Sequence, residues 1–252
     1  MIPMDDLHAV VLAAGKGTRM KSDKAKVLHE LGGRSLLRHV LDALAPLGPA
    51  STVVIVGHQA DAVAAESTGP GVTTALQAEQ LGTGHAVDMA RDALAGHDGL
   101  TLVLCGDVPL LRTRTIEALV RTTREERAAA TVLTAIAEDP TGYGRIVRDG
   151  DGMVTAIVEH KDATDEQRTI REYNTGTWCF DNAKLWSVLS RLDRDNSQGE
   201  YYLTDVVELL VGDGETVAAS VCEDEREVQG INTVDDLERA RRDLAAMGGD
   251  GA

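Results

Sequence analysis

The stretch Val10-Val-Leu-Ala-Ala-Gly-Lys-Gly-Thr-Arg-Met-Lys-Ser-Asp-Lys-Ala-Lys26 begins as an apolar run and continues as a basic loop. Its loop holds five cations and one carboxylate, in a chain whose formal net charge is −16. This contrast indicates an anionic ligand, because glycines let backbone N–H groups approach a phosphate and long cations neutralise it. The residues concerned are Gly15, Gly17, Lys16, Arg19, Lys21, Asp23, Lys24 and Lys26. We therefore predict a strand followed by a triphosphate-binding loop, with a solvated loop as the alternative.

Apolar runs alternate with segments of helical period along the first half of the chain. The predicted strands are 9–13, 52–56, 72–76 and 100–104, and the predicted helices are 36–47, 61–66, 83–94 and 113–126. Such alternation is typical of a Rossmann-like, mostly parallel sheet with helices on both faces. Ligands bind at the carboxyl ends of the strands in such folds. The basic loop and Gly106-Asp107 both follow predicted strands, so we expect them at the same edge.

The second half has a different pattern, which predicts an antiparallel β insertion in the same α/β domain. Pro140–Gly144 and Asp149–Gly152 suit turns between short strands. The predicted strands are 131–137, 144–148, 154–159, 174–180 and 217–222, and the predicted helices are 182–192, 203–211 and 233–246. We expect one domain, 1–247, with a nucleotide-binding half (1–112), a sugar-phosphate-binding half (113–232) and a final helix (233–247). The tail 248–252 is predicted to be disordered.

Composition narrows the class of partner. The chain of 252 residues is 43% hydrophobic, which is enough to bury a full core, and its pI is near 4.8. This acidity disfavours broad surfaces for nucleic acid or anionic membranes, and no apolar run approaches the roughly 20 residues that cross a bilayer. Met1–Leu7 lacks a secretory pattern, so we expect a cytoplasmic protein. Three widely spaced cysteines suggest neither disulfides nor a zinc site.

Two oxygen side chains are candidate ligands for Mg²⁺, which binds few protein oxygens and keeps water or phosphate in its other positions. Asp107 directly follows the run Leu102-Val-Leu-Cys-Gly106, so its carboxylate should emerge at the end of a strand. Asn232 precedes the last predicted helix. From spacing alone, capping of that helix by Asn232 or Thr233 is favoured over metal binding. The seven histidines show no ligand pair at helical spacing.

Eight short motifs, in order from about Val10 to Asn232, resemble the uridylyltransferase domain of bacterial N-acetylglucosamine-1-phosphate uridylyltransferases. They are Leu12-Ala-Ala-Gly-Lys-Gly-Thr-Arg-Met20 with Lys26, Gln77-Ala-Glu-Gln-Leu-Gly-Thr-Gly84, Gly106-Asp-Val-Pro-Leu110, Gly142-Tyr-Gly-Arg-Ile146, Val158-Glu-His-Lys-Asp-Ala163, Asn174-Thr-Gly176, Gln198-Gly-Glu-Tyr-Tyr-Leu-Thr-Asp205 and Gly230-Ile-Asn232. The first and third are general among sugar-nucleotide transferases. The segments around Glu159 and Glu200 are more particular to this family.

The resemblance implies a nucleotide-diphospho-sugar transferase fold and Mg²⁺-dependent transfer of UMP from UTP to N-acetylglucosamine 1-phosphate, with release of pyrophosphate. It implies catalytic roles for Arg19, Lys26 and Asp107, and Mg²⁺ ligands at Asp107 and Asn232. The residues implied to bind the nucleotide are Leu12, Ala13, Ala14, Gly15, Gly17, Lys26, Gln77, Gly82 and Thr83. Those implied to bind the sugar phosphate are Cys105, Gly106, Gly144, Glu159, Asn174 and Asn232.

Three departures from the family pattern bear on this interpretation. Ala25 replaces a usual proline before Lys26, which predicts a more mobile loop. Cys105 replaces a usual tyrosine, which leaves the identity of the sugar open. The bifunctional enzymes continue into a left-handed β-helix that acetylates the amino sugar, and this chain stops before such repeats, so we expect no acetyltransferase activity and infer no oligomeric state. Another nucleotide and sugar pair, or a non-catalytic nucleotide-sugar-binding module, are the alternatives.

Overall fold

The computed structural model describes residues 6–249, with side chains as far as Met247. Its strands are β1 (Leu7–Leu12), β2 (Glu30–Leu31), β3 (Arg34–Ser35), β4 (Ser51–Val56), β5 (Val72–Leu76), β6 (Leu100–Cys105), β7 (Ala130–Ile136), β8 (Arg145–Arg148), β9 (Val154–Val158), β10 (Glu172–Asp181) and β11 (Val217–Val221). Its helices are α1 (Leu36–Leu44), α2 (Ala60–Glu66), α3 (Thr83–Asp88), α4 (Arg91–Leu94), α5 (Thr113–Glu125), α6 (Asp165–Arg168), α7 (Asn182–Leu189), α8 (Val206–Gly212) and α9 (Val234–Gly249).

A mixed sheet with the strand order β11-β7-β10-β6-β1-β4-β5 forms the centre of the described chain. β6, β1, β4 and β5 are parallel, while β10 runs antiparallel to both β6 and β7. β8 and β9 form an antiparallel extension from β10. The predicted mostly parallel α/β fold with an antiparallel insertion is confirmed. Strands of both predicted halves belong to this one sheet.

The two faces of the sheet are buried by different helices, because successive residues of a strand point to opposite sides. Val11 of β1 packs in a core with α1 and α5, whereas its neighbour Val10 packs in a core with α3, α7 and α8. A strand that is buried on both faces is a near-continuous apolar run, as β1 and β6 are. The helices on both faces follow from this pattern.

A third, smaller core anchors the basic loop. Met20 lies within the loop and is only 2% exposed, packed with Leu36, Leu110 and Ile231 and with the inner face of α9. The loop is therefore attached at its centre to the last helix of the described chain, while four of its cations, Lys16, Arg19, Lys21 and Lys24, remain exposed.

Several predicted bounds differ from the observed ones. The predicted helix 83–94 is divided into α3 and α4, and the predicted helix 182–192 ends at Leu189. The predicted helix 203–211 begins with a 3-10 turn, Leu203–Asp205. α9 extends to Gly249, so it includes the first two residues of the predicted tail, and residues 250–252 lie outside the described residues.

Two local elements were absent from the prediction. The hairpin β2–β3 has only two residues in each strand, too short for a periodic signal. α6 is a single turn whose capping box, Thr164 with Gln167, is visible in the sequence but is not followed by an apolar stripe. Short elements depend on their surroundings more than on their own sequence.

Candidate active site

The basic loop and Asp107 lie at one edge of the sheet because β1 and β6 are parallel neighbours. The Gly106 N–H donates to the Leu12 carbonyl at 2.9 Å, which fixes the end of β6 against the start of the loop. The Ile231 N–H donates to the Asp107 carbonyl at 2.9 Å. This second bond brings the segment before α9 to the same edge, although it is more than a hundred residues away in the chain.

Four side chains from three distant segments meet here. The Lys26 ammonium donates to the Asp107 carboxylate and to Asn232 Oδ1, the latter at 3.0 Å. Arg19 Nη2 donates to the same Asn232 oxygen at 2.9 Å. The side chains of Lys26 and Asp107 are only 17% and 15% exposed. The structure therefore brings together the residues for which catalytic and metal-binding roles are predicted.

The structure shows which side chain caps the start of α9. The Thr233 hydroxyl accepts from the Asp236 N–H at 3.1 Å, and Asp236 Oδ2 accepts from the Thr233 N–H at 2.9 Å. This reciprocal pair gives hydrogen-bond partners to backbone N–H groups at the start of α9, in the manner of a capping box. Capping is thus provided by Thr233 with Asp236, and the side-chain oxygen of Asn232 is left to face Lys26 and Arg19. The predicted cap by Asn232 or Thr233 is thus confirmed for Thr233, and the preference for capping was wrong for the Asn232 side chain.

Gly17 is required by the close approach of the loop to itself. Its φ is +65°, and a Cβ added there would lie 2.5 Å from Lys26 Cβ. Any larger residue would force Lys26 away from Asp107, and left-handed φ adds strain for side-chain-bearing residues. Gly17 thus lies against Lys26 and does not line the cavity beside it.

Gln59 holds the loop at the position where the proline is missing. Its Oε1 accepts from the Ala25 N–H at 2.9 Å, and its Nε2 donates to the Asp23 carbonyl at 2.8 Å. Ala25 is fully buried, with φ −53°, which a proline would also adopt. Gln59 itself has a positive φ of 52°. The amide bridge ties the segment before Lys26 to the start of α2.

A cavity of about 320 Å³ opens beside the cluster, at the carboxyl ends of β1 and β6. Its lining includes Leu12, Ala13, Ala14, Gly15, Lys26, Gln77, Gly82, Thr83, Cys105 and Asp107, together with Val27, Gln80, Ala86 and Glu200. Nearly all residues predicted to bind the nucleotide therefore surround one space. Gly82 has φ +115°, and a Cβ there would lie 2.5 Å from the Tyr201 carbonyl, so this wall requires glycine.

Three of the residues predicted to bind sugar phosphate adjoin one another on the antiparallel side of the sheet. The Asn174 N–H donates to the Gly144 carbonyl at 2.9 Å. A Cβ on Gly144 would lie 3.4 Å from Glu159 Oε1, which accepts from the Thr204 hydroxyl at 3.2 Å. Burial raises the pKa of Glu159, and this outweighs the opposing effect of the Thr204 hydrogen bond.

Cys105 joins the two sides of the site. Its thiol donates to the Gly176 carbonyl at 3.4 Å, and a Cβ on Gly176 would lie 2.8 Å from Cys105 Sγ. Asn174 Oδ1 accepts from the Gly176 N–H at 2.8 Å, which completes the connection. Burial raises the pKa of the Cys105 thiol to about 12, which disfavours the thiolate at neutral pH.

Not all predicted site residues face the same space. Arg19 and Asn232 line a neighbouring cavity of about 580 Å³ between the 137–143 loop and α9. Glu159 lines a third cavity, of about 400 Å³, whose wall is rich in carboxylates. The predicted site residues are thus divided among three cavities, and the Lys26 cluster connects the first two.

The residues suit a magnesium ion. One ammonium nitrogen, Lys26 Nζ, bonds to Asp107 and Asn232 at once, so both oxygens lie within reach of a single cation. Two hard oxygens beside a phosphate-binding loop match the preference of Mg²⁺ for few protein ligands, with phosphate and water in the other positions. In the described part of the chain, three or more His, Cys, Asp or Glu never gather in a metal-binding cluster.

Sequence reasoning missed three polar residues of this site. Gln59 follows a predicted strand and His85 lies inside the predicted helix 83–94, and neither belongs to a recognisable pattern. Thr204 lies inside the motif Gln198–Asp205 but received no role. Only the three-dimensional structure identifies them, because each forms a hydrogen bond to a residue 8 to 45 positions away in the chain.

Comparison with known proteins agrees with this geometry. The family model for the MobA-like NTP transferase domain matches residues 9–200. The chain belongs to the MobA-like NTP transferase domain family. This NTP transferase domain is 53% identical to the bifunctional protein GlmU of Bacillus cytotoxicus over 91% of its own length, and 54% identical to that of Lactococcus lactis over 89%. The chain spans about half the length of these curated relatives, 50% and 49% respectively.

A structural comparison shows the same fold at low sequence identity. A Bacillus anthracis protein assigned as a glucose-1-phosphate thymidylyltransferase superposes with a TM-score of 0.71 at 20% identity, covering 94% of each chain. Among residues 6–249, no helix of this NTP transferase domain has both the length and the apolar character needed to cross a membrane.

Asp205, in the carboxylate-rich cavity beside Glu159, provides a test of stability against pH. Burial raises its pKa to about 6, and the charges of Glu208 and Asp193 add to the shift. The folded state then binds the proton more tightly than the unfolded state, so the free energy of unfolding falls as pH rises from about 4 to about 6. The full pKa shift corresponds to about 3 kcal/mol, and solvent screening of this partly exposed carboxylate reduces the effect, so Asp205→Asn is expected to stabilise the domain by about 2 kcal/mol at pH 7.

Urea denaturation of both proteins at pH 4 and pH 7 measures this effect. Near pH 4 most of the difference should vanish, because Asp205 is then protonated in the folded state and its pKa of about 3.9 in the unfolded state has only just been passed. A stabilisation of equal size at both pH values would mean that the carboxylate charge is not its cause.

Proposed function

We propose that this chain transfers UMP from UTP to N-acetylglucosamine 1-phosphate, giving UDP-N-acetylglucosamine and pyrophosphate with Mg²⁺ as cofactor. The observation that carries the proposal is the convergence of Arg19, Lys26, Asp107 and Asn232 beside the 320 Å³ cavity. The substrate pair comes from the resemblance to the uridylyltransferases, and the names of the relatives fit it. We propose the cytoplasm, where nucleoside triphosphates are available, as the site of the reaction.

The proposed roles follow from position. The backbone of Leu12–Gly15, with Gln77, Gly82 and Thr83, would hold the uridine portion in the first cavity. Gly144, Glu159 and Asn174 would orient the amino sugar on the far side of Cys105 and Gly106. The phosphates of both substrates would then meet at the Lys26 cluster, where the two mutually repelling anions must be aligned.

The chemistry needs charge stabilisation more than proton transfer. An oxygen of the sugar phosphate, already ionised at neutral pH, attacks the α-phosphorus in line as pyrophosphate leaves. Lys26 and Arg19 would neutralise the charge that grows on the leaving group. A Mg²⁺ ion held by Asp107 and Asn232 would supply Lewis-acid polarisation of the phosphate oxygens. A neutral Cys105 thiol fits this scheme, because the step forms no covalent enzyme intermediate.

A matrix of substrates tests the proposal. UTP, dTTP, CTP, ATP and GTP are each paired with N-acetylglucosamine 1-phosphate, glucose 1-phosphate and galactose 1-phosphate, and pyrophosphate release is followed with Mg²⁺ and with EDTA. The expected result is the highest kcat/KM for UTP with N-acetylglucosamine 1-phosphate, lost in EDTA. Preference for another pair would contradict the substrate assignment. Tight binding of nucleotide sugar without any turnover would indicate a binding module.

A further inference from the structure

Gln77 is held in one orientation by two neighbours. Its side chain lies in the wall of the nucleotide cavity, and the residue is only 3% exposed. Gln77 Nε2 donates to the Gly82 carbonyl at 3.1 Å and lies 3.1 Å from His85 Nδ1. Because a carbonyl oxygen can only accept, the amide nitrogen must be the atom that faces Gly82.

The same geometry fixes the tautomer of His85. An amide NH₂ has two hydrogens, and Gln77 uses one for Gly82 and the other for His85. His85 Nδ1 must therefore accept, which places the imidazole proton on Nε2. The ring is positioned by its helix: the Gly84 N–H beside it donates to the Tyr201 carbonyl at 2.8 Å, and Tyr201 packs near the ring with centroids 6.4 Å apart.

These two bonds determine what Gln77 can offer a ligand. With both amide hydrogens engaged, the remaining group is Oε1, a pure acceptor, which has no hydrogen-bond partner among the described residues. Uracil and thymine carry a hydrogen on ring nitrogen N3, whereas the same atom of cytosine carries a lone pair. A fixed acceptor would attract the first two bases and repel the third.

We propose that His85 is a positioning residue that locks the Gln77 amide and thereby makes the cavity select a pyrimidine with an N3–H over cytosine. The proposal rests on the proposed function in one respect, since it takes the 320 Å³ cavity as the site of the base. It goes beyond that function by assigning the discrimination between UTP and CTP to a residue outside the nucleotide contacts. Without His85, the Gly82 bond alone holds the amide, and the second Gln77 hydrogen becomes available to the N3 lone pair of cytosine.

The test compares His85→Leu, which removes the acceptor, with His85→Asn, whose side-chain oxygen can replace Nδ1. The readout is the ratio of kcat/KM for UTP to that for CTP. We expect the ratio to fall by about tenfold in the leucine variant, as for the loss of one buried hydrogen bond, and to stay within about twofold in the asparagine variant. His39→Leu is the matched control: His39 lies in α1 and bonds to the Leu31 carbonyl, away from the cavity. It should leave the ratio unchanged.

Thermal melts establish that each variant is folded. If the leucine variant does not fold, His85→Ala removes the ring without adding bulk and has the same expected effect. An unchanged ratio in a folded variant that lacks the acceptor would overturn the proposal, and so would an equal fall in the asparagine variant. Calorimetric binding of UMP and CMP separates the two proposals, because a preference for UMP that is lost in His85→Leu supports the role of His85 even if no turnover is found.

Discussion

Asp107→Ala is expected to abolish Mg²⁺-dependent turnover, with a loss on the order of a thousandfold or more in kcat, while the domain stays folded. The carboxylate is one of two side-chain oxygens that bond to the same ammonium, so its removal leaves Asn232 as the only oxygen of the pair. A single neutral ligand cannot hold the metal against water, and the negative charge that would attract it is gone.

The fold should survive because Asp107 is held by its backbone. Its carbonyl accepts from the Ile231 N–H, and alanine keeps that bond. Lys26 loses its ion pair but keeps Asn232. Because both side chains of the pair are mostly buried, the cost in stability should be about 3 kcal/mol, which is less than the usual stability of a folded domain. Pyrophosphate release and thermal melts measure the two effects separately.

Asp139→Ala is the matched control for this experiment. Asp139 is an acidic residue in the wall of the neighbouring cavity and is not a partner of Lys26. Its replacement should change kcat by less than about threefold. Wild-type turnover in folded Asp107→Ala would remove Asp107 from the catalytic group, and an equal loss in both variants would point to a general effect of acidity.

Lys26→Met is expected to lower kcat by about 10² to 10³, equivalent to about 3 to 4 kcal/mol of transition-state stabilisation. Methionine keeps most of the side-chain length and lacks the charge. The ammonium lies at the boundary between the nucleotide cavity and the Asp107–Asn232 pair, where charge on the leaving pyrophosphate would develop. Water cannot replace a fixed cation there without a reorganisation cost.

Lys24→Met is a control from the same loop. Lys24 is 46% exposed and lies 3.6 Å from Glu30, away from the cluster, so its loss should change kcat less than about threefold. Equal losses in both variants would show that only the net charge of the loop matters.

A titration with Mn²⁺ in the absence of nucleotide measures a second effect of Lys26→Met. This effect should be opposite in sign to the effect on turnover. In the wild type the ammonium occupies the position between the two oxygens that a divalent ion would take. Its removal should tighten Mn²⁺ binding several-fold while turnover falls. Weaker Mn²⁺ binding in the variant would mean that Asp107 and Asn232 do not form the metal site.

Much of the fold could be predicted because its signals are local. The apolar run of β1 and the apolar face of α1 can each be recognised within the element's own sequence. Packing in the sheet and against it stabilises these apolar residues directly. The hairpin β2–β3 and the break between α3 and α4 had no such signal. Their form depends on neighbours that are distant in sequence.

The candidate site could likewise be predicted from the sequence only in part. The sequence by itself determined the strand–loop unit that starts the chain, the excess of cations in that loop and the position of Asp107 at the end of a strand, because strand direction and local charge are properties of contiguous residues. Tertiary structure alone decided that Asn232 faces Lys26 instead of capping α9, that Gln59 holds the loop at Ala25 and that His85 orients Gln77. Each of these depends on one hydrogen bond between separate segments, and only the packing of the whole sheet and its helices sets the distance between them.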